Sequence, residues 1–93
     1  MTDCIRQHLI FEGTVQNVGF RYEMTRLAQH LGVTGWVRNV EDGTVEAQIQ
    51  GSPSAIQTLL DELDTIRHLH ITAVHRTPMP VVVGETQFMI RYY

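Results

Sequence analysis

The stretch Val15-Gln16-Asn17-Val18-Gly19-Phe20-Arg21 separates a run patterned as a strand, Gln7 to Thr14, from one patterned as a helix, Phe20 to Leu31. In the first run Leu9 and Phe11 alternate with His8, Ile10 and Glu12, the two-residue period of a strand with one strongly apolar face. In the second, Phe20, Met24, Leu27, Ala28 and Leu31 recur at spacings of three and four, and Gly32 is a fitting stop. A tight turn from strand to helix leaves the first helical N–H groups without intrahelical acceptors, at the positive end of the helix dipole. That outlines an anion site. Arg21 adds a planar charged fork suited to two oxygens of a phosphate or carboxylate. A βα turn followed by a surface arginine is the other reading of the same residues.

Beyond this helix, Thr34 to Val40 is strand-like, and Glu41-Asp42-Gly43-Thr44 carries the Asp-Gly signal of a hairpin. Val45, Ala47 and Ile49 then alternate with Glu46, Gln48 and Gln50 until Gly51. Ser52 is placed to cap a second helix, with Pro53 at its first position and Ile56, Leu59, Leu60 and Leu63 as its buried stripe. Ile71 to Arg76 reads as a fourth strand and Thr77 to Glu85 as a loop. In the last strand Phe88, Ile90 and Tyr92 alternate with Met89 and Arg91.

The order predicts an α+β, ferredoxin-like βαββαβ domain over residues 1–93 with one additional C-terminal strand. Its antiparallel sheet is covered by two helices on one face. In such a sheet the first two strands run parallel with the third between them, so their C-terminal ends share an edge. The loop after the first strand and the end of the second then become neighbours, and either Arg38 or Asn39 could face the anion loop.

Composition narrows the chemistry. Ninety-three residues suit one small core, and the 43% apolar content is that of a globular chain. No apolar run approaches membrane-spanning length, and Met1 to Arg6 lacks the regions of a signal peptide. One cysteine, Cys4, fits a reducing cytoplasm and is expected to be a small buried apolar side chain. The net charge of −3 gives no nucleic-acid footprint. All seven basic residues are arginine, which removes lysine chemistry, and Ser52 and Ser54 lie in no nucleophile-elbow pattern.

A cysteine-dependent phosphatase loop would place its nucleophile six positions before the arginine, where this chain has Val15. His68 and His70 could put two rings on one strand face, but no carboxylate spacing accompanies them, and no metal or other cofactor is expected. Asp42 belongs to the hairpin turn and Glu46 to strand alternation, so no acid/base pair emerges. A cradle, an arginine and a nearby amide remain. Such a set suits an already activated substrate, for which positioning and charge neutralisation suffice.

At this point the chain resembles the acylphosphatase family, which carries Gly-x-Val-Gln-Gly-Val-x-Phe-Arg after its first strand. Gly13-Thr14-Val15-Gln16-Asn17-Val18-Gly19-Phe20-Arg21 stands in that place. The family's Gly-aromatic-x-x-Asn-x-x-Asp-Gly-x-Val-Glu is matched by Gly35 to Glu46, and Ala28, Gly32, Gly51 and the segment Phe88 to Tyr92 also correspond. The resemblance covers nearly the whole domain. It implies hydrolysis of a carboxyl-phosphate anhydride by a monomer that uses neither metal nor cofactor. It further implies that Arg21 binds the phosphate, Asn39 orients the attacking water, and the backbone N–H groups of Gln16, Asn17, Val18, Gly19 and Phe20 cradle the phosphoryl oxygens. One departure stands out. Asn17 occupies the family's glycine position; asparagine tolerates a positive φ at a cost of roughly 1 kcal/mol, and its side chain is expected to reduce activity.

Overall fold

In the computed structural model, which describes residues 3–93, the chain runs β1 (Ile5–Thr14), α1 (Phe20–Leu31), β2 (Thr34–Asn39), β3 (Val45–Gly51), α2 (Pro53–Asp64), β4 (His70–Met79) and β5 (Phe88–Arg91). The strands form one sheet in the order β4-β1-β3-β2-β5. β3 pairs antiparallel with both β1 and β2, so β1 and β2 are parallel with β3 between them, as the element order requires. The helices pack on one face. Leu9, Phe11, Val37, Val45, Ala47 and Ile49 of the sheet meet Phe20, Met24, Leu27, Ala28, Ile56, Leu59 and Leu63 of the helices in one buried cluster.

Local chemistry sets the helix limits. Gly32 ends α1 in the left-handed region at φ 71, and its N–H donates to the carbonyl of Ala28. Ser52 begins α2 by accepting from the N–H of Ala55, with Pro53 next in line. Gly35, at φ 134, lies against β3, where a Cβ would run into the Gln48 carbonyl oxygen. The glycine before Trp36 is therefore required by strand packing.

Three expectations need correction. The sheet is mixed, because β5 pairs parallel with β2 through Gly35↔Phe88 to Arg38↔Arg91. The long return from β4 at the opposite edge permits this direction; a tight hairpin would have forced an antiparallel partner. β4 continues through Thr77 to Met79, where a loop was expected. It is an edge strand, and Pro78, opposite Gln7, needs no second partner for a missing N–H. Cys4 is exposed, since it precedes β1 and never enters the core.

The face of the sheet away from the helices is polar and closely paired. Arg6, only 4% exposed, donates to Gln48, Gln50 and Glu85, while Gln50 exchanges hydrogen bonds with the backbone of Val82. These contacts fasten the β4–β5 connection across that face.

Candidate active site

The loop between β1 and α1 is bent by two residues in the left-handed region, Asn17 at φ 61 and Gly19 at φ 80. Asn17 is the one non-glycine residue with positive φ among those described. Gly19 is the N-cap of α1 and has no side chain with which to cap it. Among the described residues, no backbone hydrogen bond outside the regular elements is donated by Gln16, Asn17, Val18, Gly19 or Phe20. The contrast with α2 is direct: there Ser52 occupies a free N–H, and at α1 nothing does. A run of unused donors at a helix start is the arrangement that an anion site requires. Val18 is half-buried against the core and Phe20 fully buried, with its ring 4.8 Å from that of Phe11, so side-chain packing holds the turn down.

A pocket of about 270 Å³ opens over this helix start. Asn17, Gly19, Phe20 and Arg21 line it from the loop and α1, Asn39 from the end of β2, and Ile90 and Tyr92 from the C-terminal segment. Arg21 is half-buried, and none of the salt bridges among the described residues uses it. Its guanidinium carbon lies 5.2 Å from the centroid of the Tyr92 ring.

Strand register sends Arg38 and Asn39 to opposite faces. Asn39 pairs with Val45 and lines the pocket. Arg38 points to the opposite face, where its Nε donates to Glu46 at 2.6 Å while His8 Nε2 contacts the other Glu46 oxygen at 2.6 Å. Desolvation raises the Glu46 pKa, but the hydrogen bonds and charges of His8 and Arg38 outweigh it and hold the carboxyl below its ordinary value. Arg38 is thereby committed to structure. Asp42 is committed too: its Oδ1 accepts from the backbone N–H and hydroxyl of Thr44, which lower its pKa within the turn. The two histidines do not converge on a ligand: His68 faces Glu23 at 3.7 Å, and His70 begins β4 opposite Thr14.

The Gln16 side chain was not singled out by the sequence reading, which assigned that residue only a backbone N–H. Its Nε2 donates to the carbonyls of Val40 at 2.6 Å and Thr44 at 2.8 Å. Those two residues close the β2–β3 turn, where the Val40 N–H donates to the Thr44 carbonyl and the Gly43 N–H to that of Val40. One amide thus ties the β1–α1 loop to the turn that follows Asn39. The available signal was a glutamine side chain within the short, mostly apolar run Val15 to Phe20, and it did not name its partners.

Residues 7–90 match the family model described as Acylphosphatase. The chain is 43% identical over 88 residues to the acylphosphatase of Geobacillus kaustophilus (strain HTA426), covering 94% of each chain. It is 51% identical over 88 residues to that of Bifidobacterium longum (strain NCC 2705), covering 88% of this chain and 84% of the relative. The crystal structure of acylphosphatase from Bacillus subtilis superimposes with a TM-score of 0.87 at 30% identity, over 95% of this chain and 99% of that one.

Replacing Gln16 by Glu would turn two donated hydrogen bonds into a carboxylate facing two carbonyl oxygens. The variant is expected to lose about 1–3 kcal/mol of stability, measured by urea unfolding. The amides of Val40 and Gly43 should exchange faster with solvent than in the parent, while those of α2 keep their order of protection.

Proposed function

The chain belongs to the acylphosphatase family, and as a member it hydrolyses acyl phosphates to a carboxylate and inorganic phosphate; we propose that Arg21, Asn39 and the loop amides perform that reaction as follows. The phosphoryl oxygens lie against the free N–H groups of Gln16 to Phe20 and the Arg21 fork. Asn39 holds a water in line with the bridging P–O bond. The water oxygen bonds to phosphorus as that bond breaks, its electron pair departs with the carboxylate, and the water proton passes to the phosphate.

One observation carries the reading. The pocket lined by the uncapped start of α1 and an arginine outside every salt bridge among the described residues is also lined by Asn39, from a separate element. The chemistry asks for little more. A carboxylate is a good leaving group, so no strong general acid is required. The transition-state charge on the phosphoryl oxygens can be met by backbone dipoles and a guanidinium. Asn39 has no useful basicity, yet its carbonyl and amide can fix a water. The pocket lining contains no carboxylate, imidazole or thiol, which supports charge neutralisation by Arg21 in place of a metal.

The same reading takes the protein as a cytoplasmic monomer whose partner is the small acyl phosphate, with no nucleic acid and no membrane. The support bears on the membrane and the nucleic acid. No described helix is long and apolar enough to cross a membrane. On the open sheet face Arg6 and Arg38 are occupied by Glu85 and Glu46, and Arg91, stacked on Trp36, is too little charge to track a phosphate backbone.

Release of inorganic phosphate from acetyl phosphate, with and without chelator, tests the proposal. Arg21→Ala should lower kcat/KM by about a thousandfold or more and remove inhibition by phosphate. Asn39→Ala should lower kcat by roughly a hundredfold while leaving that inhibition within about twofold, because a water contact acts in the transition state. A higher KM at unchanged kcat would make Asn39 a binding residue, and loss of activity on chelation would install a metal.

Asn17 generates a second expectation. Its backbone already adopts φ 61, so the bend of the cradle is retained, but a residue that lines the pocket here carries a side-chain amide where the family motif has glycine. Asn17→Gly removes that amide and lets the backbone approach the phosphate. Parallel kinetics should show kcat/KM rising by something on the order of tenfold, equal to about 1.4 kcal/mol. Equal or lower activity would mean that the Asn17 side chain contributes a contact.

A further inference from the structure

Arg21 has a polar task in the plane of its guanidinium and an unassigned contact on its face. All five N–H groups of an arginine point outward in the plane, and the two faces are free to stack on aromatic rings. The guanidinium carbon lies over the Tyr92 ring, 5.2 Å from its centroid, within cation–π range. Stacking leaves the donors available to phosphoryl oxygens while restricting rotation of the fork.

Tyr92 is 80% exposed and adds nothing to the buried core, yet it lines the pocket. The segment that carries it is fastened on both faces of the sheet. One residue earlier, Arg91 stacks on Trp36 at 4.5 Å. Two residues earlier, Ile90 packs against the core cluster and lines the same pocket. Strand alternation places Ile90 toward α1 and Arg91 on the far side, and Tyr92, one residue past the end of β5, lines the same pocket as Ile90. The ring is thus presented to Arg21 from a segment anchored above and below.

We propose that Tyr92 is a positioning residue: its ring fixes the plane of the Arg21 fork, so that the guanidinium edge faces the cradle before substrate arrives. The inference rests on Arg21 binding the phosphate. Its contribution precedes chemistry, so it acts equally on bound phosphate, on substrate and on the transition state, whatever acyl group the substrate carries.

The test uses Tyr92→Phe, Tyr92→Leu and Tyr92→Ala, with Arg21→Ala as control. Inorganic phosphate affinity is read by calorimetry, kinetics with acetyl and benzoyl phosphate, and thermal unfolding alongside. Phe should bind phosphate within about twofold of the parent, because it keeps the π face. Leu and Ala should bind about two- to fivefold more weakly, the span of an exposed cation–π contact. They should lose kcat/KM by at least the same factor on both substrates, with Tm nearly unchanged. Full phosphate affinity in Tyr92→Leu would reduce the ring to an apolar cover and overturn the proposal. A loss confined to benzoyl phosphate would also overturn it, by making Tyr92 a contact for the acyl group. Phosphate binding that survives Arg21→Ala would refute the underlying reading as well. Binding abolished in Arg21→Ala but unchanged in every Tyr92 variant would refute this inference alone.

Discussion

Both hydrogens of the Gln16 side-chain amide are committed, one to the carbonyl of Val40 and one to that of Thr44, and the relation between the two halves of the site follows from this clamp. The anion loop hangs from the end of β1, and Asn39 closes β2; neither strand hydrogen-bonds to the other, because β3 lies between them. Sheet pairing brings the two ends to one edge. It does not fix how far apart they stand across that edge. A chemistry that depends on positioning can lose about a hundredfold for a displacement of roughly 1 Å, so a direct tie between loop and turn is what the reaction needs.

The loop also shows a division between stability and function. Capping a helix with Ser, Thr, Asp or Asn typically stabilises it by about 1 kcal/mol. α2 takes that stabilisation from Ser52, whereas α1 begins at Gly19 with no side-chain cap and with Asn17 held at positive φ. The start of α1 is therefore less stable than it could be, and that deficit is what leaves donors for a ligand. Buried Val15 and Phe20 offset the cost by anchoring both ends of the bend in the core.

Most of the architecture was legible because local signals agreed with the global fold. The limits of α1 coincide with the apolar spacing between Gly19 and Gly32, and the Asp-Gly turn, the β3 alternation and the Ser-Pro start of α2 each carry their own chemistry. What escaped was decided by tertiary neighbours. The direction of β5 depends on which edge a long connection reaches, and Pro78 is compatible with a strand only because β4 is at an edge. Strand position alone left Arg38 and Asn39 equivalent, and only the resemblance singled out Asn39; the register with Glu46 and Val45 sends the two to opposite faces. The Gln16 clamp and the Tyr92 stack link residues 24 or more positions apart, so no spacing announced them.

The central claim is that phosphate is held by backbone amides of the loop together with Arg21, and amide chemical-shift mapping during titration with inorganic phosphate tests it most directly. Saturable shifts should concentrate on the N–H groups of Gln16 to Phe20 and on the Arg21 Nε–H, with weaker effects at the Asn39 side chain and none at the capped start of α2. Shifts that spare residues 16–20 and gather on the open sheet face around Arg91 and Trp36 would contradict it.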